Sequence, residues 1–369
     1  MKKRLLIRWL PAAIAPVVVA GAALAWSIPA SAAATLPTKT PQQVLELAAG
    51  STVSHLSGTL SETSDLGLPS IPSGVGSSSS GDIGSLSNDL QLLTGSHTAR
   101  VYLNGRTQER VEVTGSLTES DLVRNGDSLW LYDSKTNTAT HVLLPAGQTE
   151  HVPTGGATSV PTPSSLASTA LAQLAPSTDV TLGSNVRVAG RAAYDLVLTP
   201  RTTATLVGSV SIAVDGQTGL PLSFQVTARG QSTPAVDVQF TSLTLSAPSS
   251  GLFDFTPPSG ATVKTTSLTA QSRGGVGTES PLSGAKQTPG TAGHATIGSG
   301  WSTIVELPAS SLPSSVSAAL ASPTVKELTK QVSDGRAIST SLVSVLLTSD
   351  GRVLFGAVPV QALQAAAGS

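Results

Sequence analysis

Alternation of apolar and polar residues with a period of two dominates this 369-residue chain from about Thr98 onward. "TARVYLNG", "TQERVEVTG", "ESDLVRNG", "SLWLYDS" and "ATHVLLP" each run for a few residues and stop at Gly, Asn, Asp, Ser or Pro, the signature of short strands joined by turns. The pattern resumes in "DVTLGSNVRVAG", "RAAYDLVLTP", "TLVGSVSIAVDG", "GLPLSFQVTARG" and "PAVDVQFTSLTLSAP". The turns "DGQTG" and "ARGQSTP" make antiparallel pairing of neighbours the simplest arrangement. Two helices interrupt the strands. One is predicted over "PQQVLELAA", with Thr40 as cap and Pro41 in its first turn, and the other over "SSLASTALAQLA". "SHLSGTLSETSDL" reads as a strand between the first helix and the long run.

Three tracts carry no periodicity. The first, within 64–88, is rich in Gly, Ser and Pro and is expected to be a flexible insertion, because it cannot bury enough apolar surface to order itself. The second leads into the second helix, and the third spans 265–300 as a linker. Beyond it a smaller unit over 301–369 is expected to hold "GWSTIVELP", a Ser/Ala-rich helical stretch to "VKELTKQVSDG", and a hairpin turning on Ser349-Asp350-Gly351. The domain reading is thus 1–32 as an export signal, 33–264 as the main β domain, and 301–369 as the small α/β unit.

The amino terminus changes where this chain is expected to work. Lys2, Lys3, Arg4 and Arg8 precede an apolar run and the small-residue site Ala30-Ser31-Ala32, the three parts of a cleaved secretory signal. An uncleaved anchor is the alternative, since Trp9 to Ile28 is long enough to span a bilayer. Either way the rest of the chain is expected outside the cytoplasmic membrane. With Cys 0, disulfides, thiolate catalysis and lipidation at a cysteine are excluded, so stability must come from core burial. Four of the 21 Lys+Arg lie in the signal, leaving 17 against 22 Asp+Glu, a balance of −5. No basic run tracks phosphates, and nucleic acid is not an expected partner.

Candidate chemistry is sparse. His55, His97, His141, His151 and His294 are scattered, without the helical spacing of a metal site, and no cofactor is expected. Gly208-Ser209-Val210-Ser211-Ile212 misses the nucleophile-elbow pattern at its last position, and Ser283-Gly284-Ala285-Lys286 lies in a Gly/Ser tract with no helix to fix it. Glu109, Glu112, Glu119 and Asp121 fall on a polar hairpin and read as a solvated outer face beside Arg106 and Arg110. A carboxylate pair for glycoside hydrolysis is the other reading of them. No defensible active site emerges, and the chain is read as not an enzyme.

"SLWLY" is different because it is apolar on both sides: Leu129 and Leu131 point one way, Trp130 and Tyr132 the other. Two-sided burial in so long an antiparallel run is expected to need curvature and a helical lid. The predicted fold is mainly β: an unclosed half-barrel of about ten strands whose apolar concavity would suit a small greasy ligand.

The stretch from "ARVYLNGRTQERVEV" through "DLVRNGDSLWLYDSKTNTATHVLLP", with "GRAAYDLVLTP" and "IAVDGQTGLPLSFQV", resembles the LolA/LppX/RseB superfamily in its actinobacterial form. The carboxy-terminal "GWSTIVELP" and "LLTSDGRVLFG" are similar to the corresponding part of RseB-like sorting proteins. The resemblance implies a carrier that holds a lipid or the acyl chains of a lipoprotein and has no catalytic residues. A regulatory sensor that binds an anti-sigma factor or another membrane partner is the alternative it implies. The missing lipobox cysteine departs from relatives tethered by lipidation. Trp130 and Tyr132 are expected on the concave side, with Tyr102, Phe224 and Phe240 as neighbours; the alternative is that all five are ordinary core residues.

Overall fold

The computed structural model describes residues 36–67, 95–114, 119–144, 162–172, 177–267, 295–311 and 329–368. The expected signal, the core of the 64–88 insertion, the middle of the 265–300 linker, and the Ser283–Lys286, His151 and His294 positions lie outside them.

Helix α1 (Pro41–Ala49) begins where the cap predicts. Thr40 Oγ1 accepts from the Gln43 amide at 3.3 Å, and Gln43 Oε1 accepts from the Thr40 amide at 2.9 Å, so two otherwise orphaned donors are satisfied. Its Val44 is fully buried. Six strands then form an antiparallel run: β1 (His55–Ser64), β2 (Gly95–Asn104), β3 (Gln108–Thr114), β4 (Glu119–Asn125), β5 (Ser128–Asp133) and β6 (Thr138–Leu143). Helix α2 (Pro163–Ala172) leads into a second run, β7 (Thr178–Leu182), β8 (Val186–Val188), β9 (Arg191–Pro200), β10 (Val207–Asp215), β11 (Pro221–Ala228) and β12 (Pro234–Thr244).

These two runs are joined side by side, because β12 pairs antiparallel with β1. The order is β6-β5-β4-β3-β2-β1-β12-β11-β10-β9-β7, with β8 also on β9. A thirteenth strand, β13 (Thr262–Ser267), adds parallel to β6 at the far edge. Its two outermost strands do not meet, so the 13-stranded sheet is unclosed. The predicted half-barrel is present. Local turns could not announce the β1–β12 pairing, which joins strands about 180 residues apart, nor the parallel β13, whose last three residues, Thr265 to Ser267, fall inside the stretch expected to be linker.

The turn between β10 and β11 shows how local chemistry docks α1. Asp215 is 1% exposed and accepts from Arg191 Nε at 3.0 Å, Arg191 Nη2 at 2.8 Å and the Thr218 amide at 3.0 Å. Gly219 adopts φ 72°, and a Cβ there would come within 2.1 Å of the Leu47 carbonyl oxygen, so only glycine lets the end of α1 approach.

The carboxy-terminal unit is a six-stranded sheet of β14 (Ala295–Ile297), β15 (Ile304–Leu307), β16 (Lys330–Val332), β17 (Gly335–Ser339), β18 (Ser344–Thr348) and β19 (Val353–Gly356), followed by α3 (Val360–Ala367). The order is β14-β15-β19-β18-β17-β16. Leu346, Leu354 and Leu363 are its fully buried centre. The expected hairpin turn is present, with Gly351 at φ 86°. Two details differ from the reading of the sequence. Lys330–Val332, expected at the end of a helical stretch, is a strand paired with β17, because Ser333 and Asp334 form a two-residue hairpin turn between them. Helix α3 was not expected, although Pro359 opens it and Gly368 closes it.

The two sheets are stitched together. The Leu206 amide and Thr205 Oγ1 both donate to the Ala357 carbonyl at 2.8 Å, the Ser341 amide donates to Leu66 O at 2.9 Å, and Trp301 Nε1 donates to Thr178 Oγ1 at 2.8 Å.

Candidate ligand-binding face

Residues directly opposite each other across a ladder share a face, and so do residues two apart on a strand. Leu60 of β1 stands opposite Phe240 of β12; Val238, two residues on, stands opposite Phe224 of β11; and Phe224 is followed across the sheet by Ile212 and Leu196. One face of the sheet is therefore apolar through the join between the two runs. Leu60, Val238, Ile212 and Leu196 are 0% exposed. On the β1 side the same face continues through Ala99 and Val101, Val111 and Val113, Leu122, Leu129 and Val142.

Phe240 packs with Leu60, Ala99 and Val101, whereas Phe224 packs with Val44 of α1, Ala167 of α2, Leu196 and Ile212. Helix α2 lies over β10–β12 and α1 against β7 and β9. Leu342, with partly buried Trp301 and Ala357, brings the second sheet into the same cluster. Gly58 makes room for Phe240: a Cβ at Gly58 would stand 2.7 Å from Phe240 Cε1. Partly buried Leu103, Leu131 and Leu243 border the first cluster; Leu45, Leu166, Val226 and Val236 border the second.

Ionisable groups also sit on this face, among them Glu109 of β3 opposite the buried Arg124 of β4, and Glu62 with His97. Glu62 is opposite both Val238 and His97. Burial raises its carboxyl pKa, and the neighbouring His97 opposes the rise.

The structure divides the five sequence-predicted residues between two faces. Phe224 and Phe240 share the face just described. Tyr102 lies on the other, in the row Tyr102–Arg110–Val123–Trp130–His141, and Tyr132 is two residues from Trp130. The expectation that all five are neighbours is corrected here. Trp130 instead stacks on His141 with centroids 4.2 Å apart, and Phe255 meets Trp130 at 5.5 Å and Tyr132 at 6.0 Å. Ser128 Oγ and His141 Nε2 are 2.7 Å apart, and Tyr132 Oη donates to Asn137 Oδ1 at 3.2 Å. The "SLWLY" strand is thus apolar on both sides because its Leu129 joins the large core while Trp130 and Tyr132 receive Phe255.

Phe255 comes from the crossover 245–261 that carries the chain from β12 to β13. Its 3-10 turn, Ser250–Phe253, packs on β3 and β4, and Phe253 is 1% exposed. This crossover also corrects the reading of the polar hairpin as solvated for Arg110, Glu112 and Asp121, whereas Arg106 and Glu119 are exposed as expected. Arg110 bonds Glu112 at 2.7 Å and Asp121 at 3.1 Å while its Nη1 donates to Leu252 O at 3.1 Å. Asp121 is 4% exposed, and burial first, then Glu112 and Glu119, push its carboxyl up to about 6 against the opposing pull of Arg110. The only sequence signal for the cover was "GLFDF", two aromatics in a stretch without periodicity.

Elsewhere the polar groups make local bonds. His55 Nδ1 lies 2.9 Å from Asn104 Oδ1. Asp195 accepts from Ser211, and burial raises its carboxyl pKa. Among the described residues no group of three or more His, Asp or Glu could hold a metal ion, and no helix is long and apolar enough to cross a membrane.

No family model matches the chain, and no curated protein matches it. Several solved structures are similar. The MucA/MucB complex of Pseudomonas aeruginosa matches over 89% of this chain and 96% of that chain, at 17% identity and TM-score 0.42. The LolA superfamily protein NE2245 from Nitrosomonas europaea matches over 59% and 99%, at 12% identity and TM-score 0.24. An uncharacterized conserved protein from Thermus thermophilus matches over 61% and 98%, at 15% identity and TM-score 0.33. At TM-scores below 0.5 these likenesses decide neither fold nor function, which rest on the strand order, register and packing above.

Proposed function

We propose that this chain is a non-enzymatic, extracytoplasmic binder of acyl chains, a carrier or chaperone for a lipid or lipoprotein. The supporting observation is the apolar row Leu60, Phe240, Val238, Phe224, Ile212 and Leu196, on an unclosed sheet partly covered by α1 and α2. Two short helices on a curved apolar face can shift with little loss of backbone bonding, and an acyl chain can replace their side chains without leaving polar groups unpaired. Glu62 and His97 on that face would meet the polar end of the ligand. Phe224 and Phe240 remain the ligand-binding candidates in this reading. Trp130, Tyr132 and Tyr102 contribute to the opposite face.

Lipid mass spectrometry of the organic extract from denatured protein, purified from a native-like host, tests this. A stoichiometric acyl lipid is expected, reduced in a Phe224→Ala/Phe240→Ala protein that remains folded. An extract still empty after incubation with total membrane lipid would sink the reading.

A sensor that binds a membrane partner is the second reading, favoured by the entry of Leu342, Trp301 and Ala357 from the small sheet into the cluster that holds Phe224. Such packing would let occupancy of the large sheet alter what the small one presents. Retention of a single-pass membrane protein on the immobilised chain, lost on adding lipid, is the result it requires.

A further inference from the structure

We propose that the 245–261 crossover is a proton-responsive strap, latched over the β3–β5 surface when Asp121 is protonated and loosened when Asp121 is ionised. The strap is held by few points. Phe253 is buried beneath it, Phe255 rests on Trp130 and Tyr132, Asn125 Nδ2 donates to Asp254 Oδ1 at 3.2 Å, and Arg110 donates to the Leu252 carbonyl. Arg110 is the link, because the same guanidinium binds Asp121 and the strap backbone.

The charge cluster under the strap is poorly satisfied. Asp121 Oδ1 and Arg110 Nε are buried and make no hydrogen bond. Arg110 is shared between Asp121 and Glu112, and the next cation, Arg100, stands 3.9 Å from Glu112. Glu119 from β4 adds a second like charge. Tyr132 stands opposite Asp121 on β5, His141 lies further along this face on β6, and Asp254 faces it from the strap. Two or three carboxylates therefore share one well-placed arginine in a site the strap keeps dry, and a buried, unevenly paired charge is costly.

The sign follows from the raised carboxyl. A closed strap binds the Asp121 proton more tightly than an open, hydrated one, so this contribution to closure is present below pH about 6 and is lost as pH rises through that value. If opening restores an ordinary aspartate, closure should be about tenfold stronger at pH 5 than at pH 7.

Hydrogen exchange of the Leu252–Phe255 amides in the intact protein, corrected for intrinsic exchange, reads this directly. About a tenfold gain in protection from pH 7 to pH 5 is expected, and Asp121→Asn should be protected and flat across the range. A flat wild type, or an unchanged pH response in Asp121→Asn, overturns the proposal; the latter would assign the response to His141 or Glu112. Should Asp121→Asn fail to fold, a carbon-13 titration of the Asp121 carboxyl in the wild type decides the matter. Its midpoint must coincide with that of the strap amides, and separate midpoints refute the linkage.

Discussion

Trp130 and His141 stack across β5 and β6 with their planes 5° from parallel, on the face opposite to Phe240. An aromatic pair of this kind is worth about 1 kcal/mol beyond its buried area. Removing Trp130 also removes the seat of Phe255. Trp130→Ala should therefore lower stability by about 2 kcal/mol, measured by urea denaturation. Bound lipid per folded molecule should not change, since the row proposed to bind acyl chains lies on the other side of the sheet.

Phe240 and Gly58 make the complementary case. Phe240→Ala empties a core position that is 3% exposed and should cost about 3 to 5 kcal/mol. Gly58→Ala should also destabilise, by about 1 to 3 kcal/mol, because the new methyl meets the Phe240 ring and, at 2.9 Å, the Ser242 carbonyl. Combining Gly58→Ala with Phe240→Leu should recover only part of that loss, the ring clash being relieved and the backbone contact not. Full additivity of the two changes in a double-mutant cycle would contradict this packing.

Asp215 and Arg191 predict a pH dependence of opposite sign to that of the strap. Burial alone would raise the Asp215 carboxyl, but the Arg191 fork and the Thr218 hydroxyl and amide outweigh it, and the pKa is lowered. Its contribution is present above the ordinary aspartate range and is lost as pH falls below about 4. Arg191→Ala leaves a buried unpaired carboxylate and should cost about 3 kcal/mol at neutral pH. Acidification toward pH 4 should then narrow the gap to wild type, as followed by denaturation midpoints at several pH values.

Leu342 and Trp301 set how firmly the small sheet is held. Trp301→Phe removes the bond to Thr178 and should cost about 1 kcal/mol. Leu342→Ala, at a position 7% exposed, should cost about 2 to 4 kcal/mol. Limited proteolysis should cut Leu342→Ala faster around Leu66, whose carbonyl accepts from the Ser341 amide, whereas Val343→Ala at the neighbouring exposed site should be neutral.

Much of this molecule was written in local chemistry. Thr40 and Gln43 form a box that starts α1 regardless of what surrounds it, and "DGQTG" and "SDG" turn the chain because their φ values demand glycine. Alternation in "RVYLNG" or "SLWLY" fixes which residues share a side, since the side-chain period of a strand is two. The sequence by itself therefore determined most of the strands, the helices α1 and α2, and the split of Leu129 and Leu131 from Trp130 and Tyr132. What lies over each side is a long-range question, and only the tertiary structure decided it. β12 had to reach β1 before Phe240 could face Leu60, and the crossover had to return over β3–β5 before Trp130 met Phe255 and Asp121 lost its water. Those contacts join residues more than a hundred positions apart, where no local period or turn signal carries information and only the fit of two surfaces selects the partner.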